Sequence, residues 1–207
     1  MKRTGVKYLC LTAMTAVLTI ACSGTELVTK PIEPVASTGP VSDILVIVVA
    51  DKDETRRTFE ARFVEALKAA GIDAVGSADA IPMPSDLELK KDAILQAVDR
   101  YESDAVLITH LADIAYAESR NRANPQEYGY YSYYGILYRH YHDPGYSRTY
   151  ATVLLETNLF DVQTEKLIWS GRTKSWDKSE PEIVKDVISL VVRDLVDKKL
   201  LAPKQNT

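Results

Sequence analysis

Residues 43–50 read Asp43-Ile44-Leu45-Val46-Ile47-Val48-Val49-Ala50, an apolar run with no polar residue after its first position. Most of its side chains are β-branched, and the run shows no alternation between apolar and polar residues. A strand with this pattern is covered on both faces, which favours a central position in a mainly parallel sheet. The run therefore predicts an α/β domain.

Two helices and two further strands are predicted after this run. The first helix stops at Gly71, and its apolar stripe consists of Phe59, Phe63, Leu67 and Ala70. A short strand covers residues 72–75, and the next helix has the apolar face Leu87, Ile94, Val98 and Tyr101. Residues 105–111 form a third buried strand. Strand, helix, strand, helix, strand is a parallel unit with right-handed crossovers.

The later half of the domain has a different pattern. Residues 149–160 and 166–176 predict two long strands joined as an antiparallel hairpin. A last helix begins at Ser179-Glu180-Pro181-Glu182, which has the spacing of a capping box. We therefore expect a mixed α/β (α+β) domain over residues 43–203, with about five strands in one sheet.

The N-terminus has the build of an export signal. Three basic residues precede an uncharged stretch of 13 residues at positions 8–20, which is short of the roughly 18 needed to span a bilayer. The following run, Leu18-Thr19-Ile20-Ala21-Cys22, resembles the lipobox of bacterial lipoproteins. The resemblance implies removal of residues 1–21 and acylation of Cys22, for example with palmitate. An ordinary signal peptide or an uncleaved anchor is the alternative.

The residues after Cys22 bear on location and partners. With Ser23 after the cysteine, the lipoprotein resemblance implies sorting to the outer membrane. We expect the domain to face the periplasm, and a surface-facing orientation is the alternative. Residues 22–42 are rich in Thr, Ser, Pro and Gly and predict a flexible tether. Without residues 1–21 the chain has 22 Lys and Arg against 29 Asp and Glu, a net charge of −7. This charge argues against nucleic acid as a partner.

An insert at about residues 119–148 is the segment most suited to contact a partner. Nine of the twelve tyrosines lie in the 23 residues from 128 to 150. Tyrosine combines a rigid apolar face with a polar tip, which suits recognition. The alternatives are a surface loop without a binding role, or the tips of two extended strands whose aromatic residues pack on one another. The candidate partner-binding residues are Tyr128, Tyr130, Tyr131, Tyr133, Tyr134, Tyr138 and Tyr141.

Metal binding and catalysis find little support in the sequence. His140, His142 and Asp143 supply too few identifiable ligands for a stable site, so no metal and no cofactor other than the lipid is predicted. His110, inside an apolar run, is interpreted as a hydrogen-bonded residue at a strand end. Asp51, Asp53 and Glu54 follow the first strand at an edge where ligands often bind, but capping of the next helix explains them.

No nucleophile, base and acid set is identifiable, and no glycine-rich phosphate loop follows the first strand. We therefore expect a non-enzymatic, lipid-anchored protein of the cell envelope. It would bind an envelope protein or another copy of itself, and the membrane through its lipid. The alternative function is a small-ligand or metal-binding periplasmic lipoprotein that uses the tyrosine-rich insert.

Several short patterns together carry a family resemblance over residues 43 to about 200. They are residues 44–49, Thr58-Phe59-Glu60, Asp104-Ala105-Val106-Leu107, the tyrosine-rich insert, Leu159-Phe160-Asp161 and Leu167-Ile168-Trp169-Ser170-Gly171. The chain resembles the bacterial lipoproteins grouped under domain of unknown function 4136. At the level of fold it is also similar to envelope assembly lipoproteins such as the curli secretion lipoprotein. Neither resemblance implies a catalytic residue.

Overall fold

The computed structural model describes residues 24–30, 39–82, 88–112, 126, 128–141, 152–176 and 178–203. Within these ranges, six strands form one mixed sheet in the order β1-β6-β5-β4-β2-β3. The strands are β1 Gly24–Thr29, β2 Asp43–Val49, β3 Asp73–Gly76, β4 Ala105–Ala112, β5 Thr152–Asp161 and β6 Leu167–Trp176. The helices are α1 Asp53–Ala69, α2 Ser77–Ala80, α3 Lys91–Arg100, α4 Tyr130–Tyr141 and α5 Glu180–Asp197.

Strand β2 lies near the middle of the sheet, as its apolar run predicts. All seven of its residues are buried, and it pairs in parallel with β3 on one side and β4 on the other. Strands β5 and β6 form the expected antiparallel hairpin, and β5 also pairs antiparallel with β4. The predicted mixed α/β class is therefore confirmed, with six strands instead of about five.

One apolar core lies on each face of the sheet. On the first face, α1 contributes Phe59, Phe63 and Leu67, and α5 packs beside it. The buried residues of α5 include Val184, Val187, Ile188, Val191 and Leu195. On the second face, α3 and α4 cover the sheet with Ile94, Ala97, Val98, Tyr130, Tyr133 and Tyr134. Burial of each large side chain stabilises the fold by about 1.5 to 3 kcal/mol.

The sixth strand, β1, corrects the prediction of a flexible tether over residues 22–42 at residues 24–29, the part of it that forms a strand. Residues 24–29 pair antiparallel with β6 along their whole length. Leu27 packs against the first core, whereas Val28 points away and is 61% exposed. The other positions of this edge strand are occupied by Gly, Thr and Glu, a composition typical of a linker. Its local sequence therefore does not predict a strand, and the pairing with β6 makes it one.

Helix α5 begins as the sequence predicts. Ser179 is the N-cap and forms a capping box with Glu182, whose Oε2 accepts a hydrogen bond of 2.9 Å from the Ser179 N–H. Hydrogen bonds from the Ser179 hydroxyl and from its N–H lower the pKa of Glu182. Within the described ranges, no helix is both long and apolar enough to cross a bilayer.

Candidate functional site

The direction of winding changes between strands β2 and β4. From β2 the chain runs through α1 to β3 on one side, and then returns through α3 to β4 on the other side of β2. The helices α1 and α3 pack on opposite faces of the sheet. In open α/β sheets, ligands bind at such a switch point, outside the carboxyl ends of the strands. We call the edge where β2, β3 and β4 end the carboxyl edge.

A cavity of about 380 Å³ lies at the carboxyl edge, between the first turns of α1 and α5. We call this cavity the crevice. Its apolar walls include Phe59 of α1, Ile183 and Val184 of α5, and Leu155 of β5. Sites for small molecules typically enclose about 300 to 1,000 Å³ behind mostly apolar walls, and the crevice falls within this range.

Charged side chains of both signs surround the crevice. They are Asp51 and Lys52 before α1, and Lys178 and Glu180 at the start of α5. The Lys178 amine donates a hydrogen bond to the Asp186 carboxylate, which lowers the pKa of Asp186. The rim therefore carries two cationic and two anionic groups and has no strong preference for a ligand of one charge.

The start of α1 differs from the sequence prediction that Asp51 or Asp53 caps it. Lys52 occupies the N-cap position, and no side chain caps the helix there. Asp53 instead binds Arg57 at 2.6 Å and Arg56 at 2.7 Å. Hydrogen bonds from Arg57 and Arg56 lower the pKa of Asp53. Arg56 binds Oδ1 and Arg57 binds Oδ2, so the Asp53 carboxylate serves as an ion-pair partner of both arginines.

On the second face of the sheet, a buried hydrogen-bond network joins β4, α4 and β5. The Tyr133 hydroxyl donates to Glu156 Oε1 at 3.2 Å and accepts from Asn158 Nδ2 at 2.5 Å. His110 Nε2 lies 3.0 Å from the same hydroxyl, and its Nδ1 lies 3.2 Å from the Leu111 carbonyl oxygen. His110 is therefore the hydrogen-bonded strand residue that was expected.

Glu156 is the anionic centre of this network and is 3% exposed. Arg172 Nε donates to its Oε2 at 2.6 Å, and Lys30 Nζ lies 3.5 Å from the same oxygen. Burial alone would raise the pKa of Glu156, but the charges of His110, Lys30 and Arg172 outweigh it and lower the pKa to about 2. The residue is thus held ionised inside the protein.

The lowered pKa predicts how stability depends on pH. Because the folded-state pKa of Glu156 is about 2, against a model value of 4.5, its contribution is complete above pH 4.5 and is lost as the pH falls toward 2. That contribution is about 3 kcal/mol. We expect Glu156→Gln to lower the free energy of unfolding at pH 7 and to converge with the parent near pH 2. Urea titrations between pH 7 and 2 measure this.

Glu54→Gln is the matched control, because the Glu54 side chain is exposed on the first turn of α1. It should leave the pH dependence of stability as in the parent. An equal loss of stability in Glu156→Gln at pH 7 and at pH 2 would contradict the assignment of Glu156 as the titrating group.

The candidate tyrosines divide into core and surface residues. Residues 130–141 form helix α4, so this part of the insert is neither a surface loop nor the tips of two extended strands, the two alternatives to a binding segment. Tyr130, Tyr133 and Tyr134 are at most 3% exposed, so their side chains stabilise the core and are not available to a partner. Burial also raises the pKa of Tyr130 and Tyr134. The Tyr134 hydroxyl accepts a hydrogen bond from the Leu89 N–H at 2.8 Å.

Three of the remaining candidate tyrosines are at least partly exposed to solvent. Tyr128 is 37% exposed, and Tyr131 and Tyr138 are half-buried. The Lys91 ammonium lies 5.6 Å from the centre of the Tyr131 ring, a cation–π contact. The Tyr141 side chain lies outside the described residues, as do Cys22 and residues 119–125, 127 and 142–148 of the insert.

Metal binding was not predicted, and its nearest candidates fall largely outside the described structure. His142 and Asp143 are not among the described residues, and of His140 only the backbone, within α4, is described. Across the residues that the structure does describe, no group of three or more His, Cys, Asp and Glu side chains is arranged to hold a metal ion.

Comparisons with known proteins give little beyond this description. No protein-family model matches the chain, and no curated protein matches it. The resemblance to domain of unknown function 4136 therefore stays a prediction. Among solved structures, the chain is similar to the PelC dodecamer from Paraburkholderia phytofirmans, at 14% identity and a TM-score of 0.43, over 89% of this chain and 100% of that chain. A leucine-to-methionine variant of that PelC dodecamer matches at 14% identity and a TM-score of 0.44, over 84% of this chain and 98% of that chain.

Proposed function

We propose that this chain is a lipid-anchored, non-enzymatic binding protein of the bacterial envelope, with the crevice as its ligand site. Its anchor is an acylated Cys22, and its location is the periplasmic face of the outer membrane. The observation that supports the ligand site most is the mostly apolar crevice at the switch point between β2 and β4. Strand β1 begins only two residues after Cys22. The folded domain would then lie directly against the membrane.

The strand pairings give the orientation of the domain on such an anchor. Gly24 of β1 pairs with Trp176 of β6, and Trp176 pairs with Thr152 of β5. Strand β5 begins where β4 ends, because the two are antiparallel. The first residue of β1 therefore lies at the carboxyl edge. Two residues of extended chain span at most about 7 Å, so an acylated Cys22 would hold the carboxyl edge, with its crevice, next to the membrane.

The chemistry of the crevice favours binding over catalysis. Its walls are mostly apolar, and the Thr109 hydroxyl on its floor shares a hydrogen bond of 3.0 Å with Thr157. His110 also lines the crevice, and its ring nitrogens lie 3.0 Å from the Tyr133 hydroxyl and 3.2 Å from the Leu111 carbonyl oxygen. Glu60 and Glu156, both buried acids, are not among the described residues that line the crevice: Glu60 accepts from the Val48 N–H, and Glu156 accepts from Arg172. A mostly apolar site whose one lining histidine already has hydrogen-bond partners is typical of a binding protein.

The orientation can be tested with two exposed positions at opposite edges of the sheet. Lys52 lies at the crevice rim, and Gln163 lies in the turn between β5 and β6 at the other edge. The ten residues of β5 separate these edges by about 33 Å. We expect a dye on Lys52→Cys to transfer energy strongly to acceptor-labelled lipid in vesicles, and a dye on Gln163→Cys to transfer much less.

The Cys22→Ser versions of both labelled proteins are the controls. They should fail to incorporate labelled palmitate and should show no energy transfer to vesicles. Equal transfer from both positions in the acylated protein would contradict the orientation. Palmitate incorporation or vesicle binding that survives Cys22→Ser would contradict the anchor.

A further inference from the structure

We infer that the crevice binds a fatty acyl chain of a lipid in the adjacent membrane leaflet. This inference rests on the proposed orientation, which places the carboxyl edge at the membrane. It adds the chemical class of the ligand, a hydrocarbon chain, and its source, a bilayer lipid.

The inner surface of the crevice suits hydrocarbon. Phe59, Leu155, Ile183 and Val184 line it, and Val153 of β5 adds a partly buried apolar side chain. A sugar or nucleotide needs several convergent donors and acceptors, because polar groups that lose water without gaining partners weaken binding. Hydrocarbon makes no such demand, and each methylene group that leaves water contributes favourably.

The polar groups on the floor of the crevice are already engaged. Thr109 presents the only side-chain hydroxyl of β4 there, and it shares a hydrogen bond of 3.0 Å with Thr157. His110, the other polar residue of β4 that lines the crevice, has its ring nitrogens within 3.2 Å of the Tyr133 hydroxyl and the Leu111 carbonyl oxygen. Because these groups have partners, the floor offers no strong polar anchor for a ligand. The floor thus discriminates against polar ligands and accepts an alkyl chain at little cost.

The rim suits a ligand whose polar head stays outside. Asp51, Lys52, Lys178 and Glu180 place two charges of each sign around the apolar interior. The Lys178 amine is already bound to Asp186, which further reduces any attraction for an anionic head. Recognition therefore depends on the acyl chain of the ligand. A head group with balanced charges, such as that of a zwitterionic phospholipid, fits this rim.

The position of the anchor indicates which lipid supplies the acyl chain in the crevice. Gly24, which marks the anchored end of β1, is three strands away from β4, or about 14 Å across the sheet. The chains on Cys22 hold the protein only while they stay in the bilayer, and a single remaining chain would hold it marginally. Lipids of the leaflet below the crevice are abundant and free to enter it, so we assign the occupant to them.

Two threonines of α1 provide a matched pair of variants. Thr55 lines the crevice and is half-buried, whereas Thr58 is exposed and lies outside the crevice. Thr55→Trp should fill the crevice from its rim, and Thr58→Trp adds the same side chain to the surface. Thermal unfolding of both variants checks that the fold is kept.

The first experiment uses the chain with Cys22→Ser and the fluorescent fatty acid cis-parinaric acid. We expect saturable binding that Thr55→Trp weakens at least tenfold and Thr58→Trp changes less than twofold. Equal affinity in the two folded variants, or no saturable binding in the parent, would overturn the inference. This experiment needs no anchor, so its failure leaves the proposed orientation standing.

The second experiment uses the acylated protein in vesicles that contain a phospholipid with a photoreactive diazirine in its acyl chain. Crosslinks should fall on peptides with Phe59 or Ile183 and should be lost in Thr55→Trp. Crosslinks confined to the far edge would overturn the site. Labelling of Phe59 or Ile183 by a photoreactive palmitate carried on Cys22, in place of the vesicle lipid, would overturn the assigned source.

Discussion

A Glu60→Ala variant should lose about 3 to 5 kcal/mol of the free energy of unfolding, because it removes the acceptor for four donors in the interior. Glu60 Oε1 accepts from the Val48 N–H at 3.1 Å, the Ser77 hydroxyl at 2.6 Å and Arg56 Nη1 at 3.4 Å. Its Oε2 accepts from the Ala78 N–H at 2.7 Å. Urea denaturation at pH 7 measures the loss.

The size of this effect comes from the burial of both partners. Glu60 is 1% exposed, and the Arg56 side chain is 7% exposed. Burial raises the pKa of Glu60, while the Ser77 hydroxyl, Arg56 and two backbone N–H groups favour the charged form. Removal of the carboxylate leaves two backbone N–H groups unpaired, and the buried Arg56 loses one of its two acidic partners and keeps only Asp53.

Glu65→Ala is the matched control on the same helix, because the Glu65 side chain is exposed. It should change stability by less than about 0.5 kcal/mol. Since Glu60 fastens α1 to β2 and α2, its loss should also loosen the wall of the crevice that α1 provides. A loss below 1 kcal/mol in Glu60→Ala would show that this cluster does not hold α1 in place.

The central part of the fold was predictable because its signals are local and strong. The uninterrupted apolar run of β2 has no stable position except one covered on both faces. The start of α5 combines a capping box with a proline in the first turn, and both act within a few residues of chain. Local chemistry decides such elements, so sequence alone identifies them.

Strand β1 was missed because distant contacts decide it. Residues 24–29 are mostly polar and precede a proline-rich stretch, so they have the local character of a tether. A Cβ added to Gly171 of β6 would lie 2.9 Å from Leu27 Cδ1 and 2.5 Å from Trp169 Cη2. The absence of a side chain at Gly171 thus lets β1 and Trp169 pack closely, a condition that no local pattern of β1 contains.

Helix α4 was missed although a signal for it exists in the sequence. Tyr130, Tyr133 and Tyr134 have the spacing i, i+3, i+4 of one helix face, and these are the tyrosines that the core buries. Tyr, Ser and Gly are weak helix formers, so composition favoured a loop over this periodicity. Packing against β4 and β5 outweighs the weak propensity.

The buried network and the crevice lie beyond what the sequence could predict. Glu156 and Asn158 are polar residues on one face of a strand and would ordinarily indicate an exposed face. Their burial depends on α4, which covers that face. The crevice likewise depends on how the first turns of α1 and α5 meet across the sheet, and residues 53–59 and 180–184 are far apart in the chain.

A Tyr133→Ala variant tests whether the tyrosines of α4 belong to the core or to a partner surface. Tyr133 is 1% exposed, and its ring centre lies 5.5 Å from that of Phe160. Removal of a buried aromatic side chain costs about 3 to 5 kcal/mol, so we expect a loss of this size in urea denaturation. Tyr133→Phe should lose less, about 1 to 3 kcal/mol, because it removes only the hydroxyl partner of the network.

Tyr128→Ala is the matched control for Tyr133→Ala, since Tyr128 is 37% exposed just before α4. It should change stability by less than about 0.5 kcal/mol, and any loss of binding to an envelope partner should be found in this variant. The opposite outcome, a stable Tyr133→Ala protein, would return Tyr133 to the candidate partner surface. The expected outcome limits that surface to the exposed tyrosines, because a side chain that completes the core cannot also leave it to bind a partner without the cost of unfolding α4.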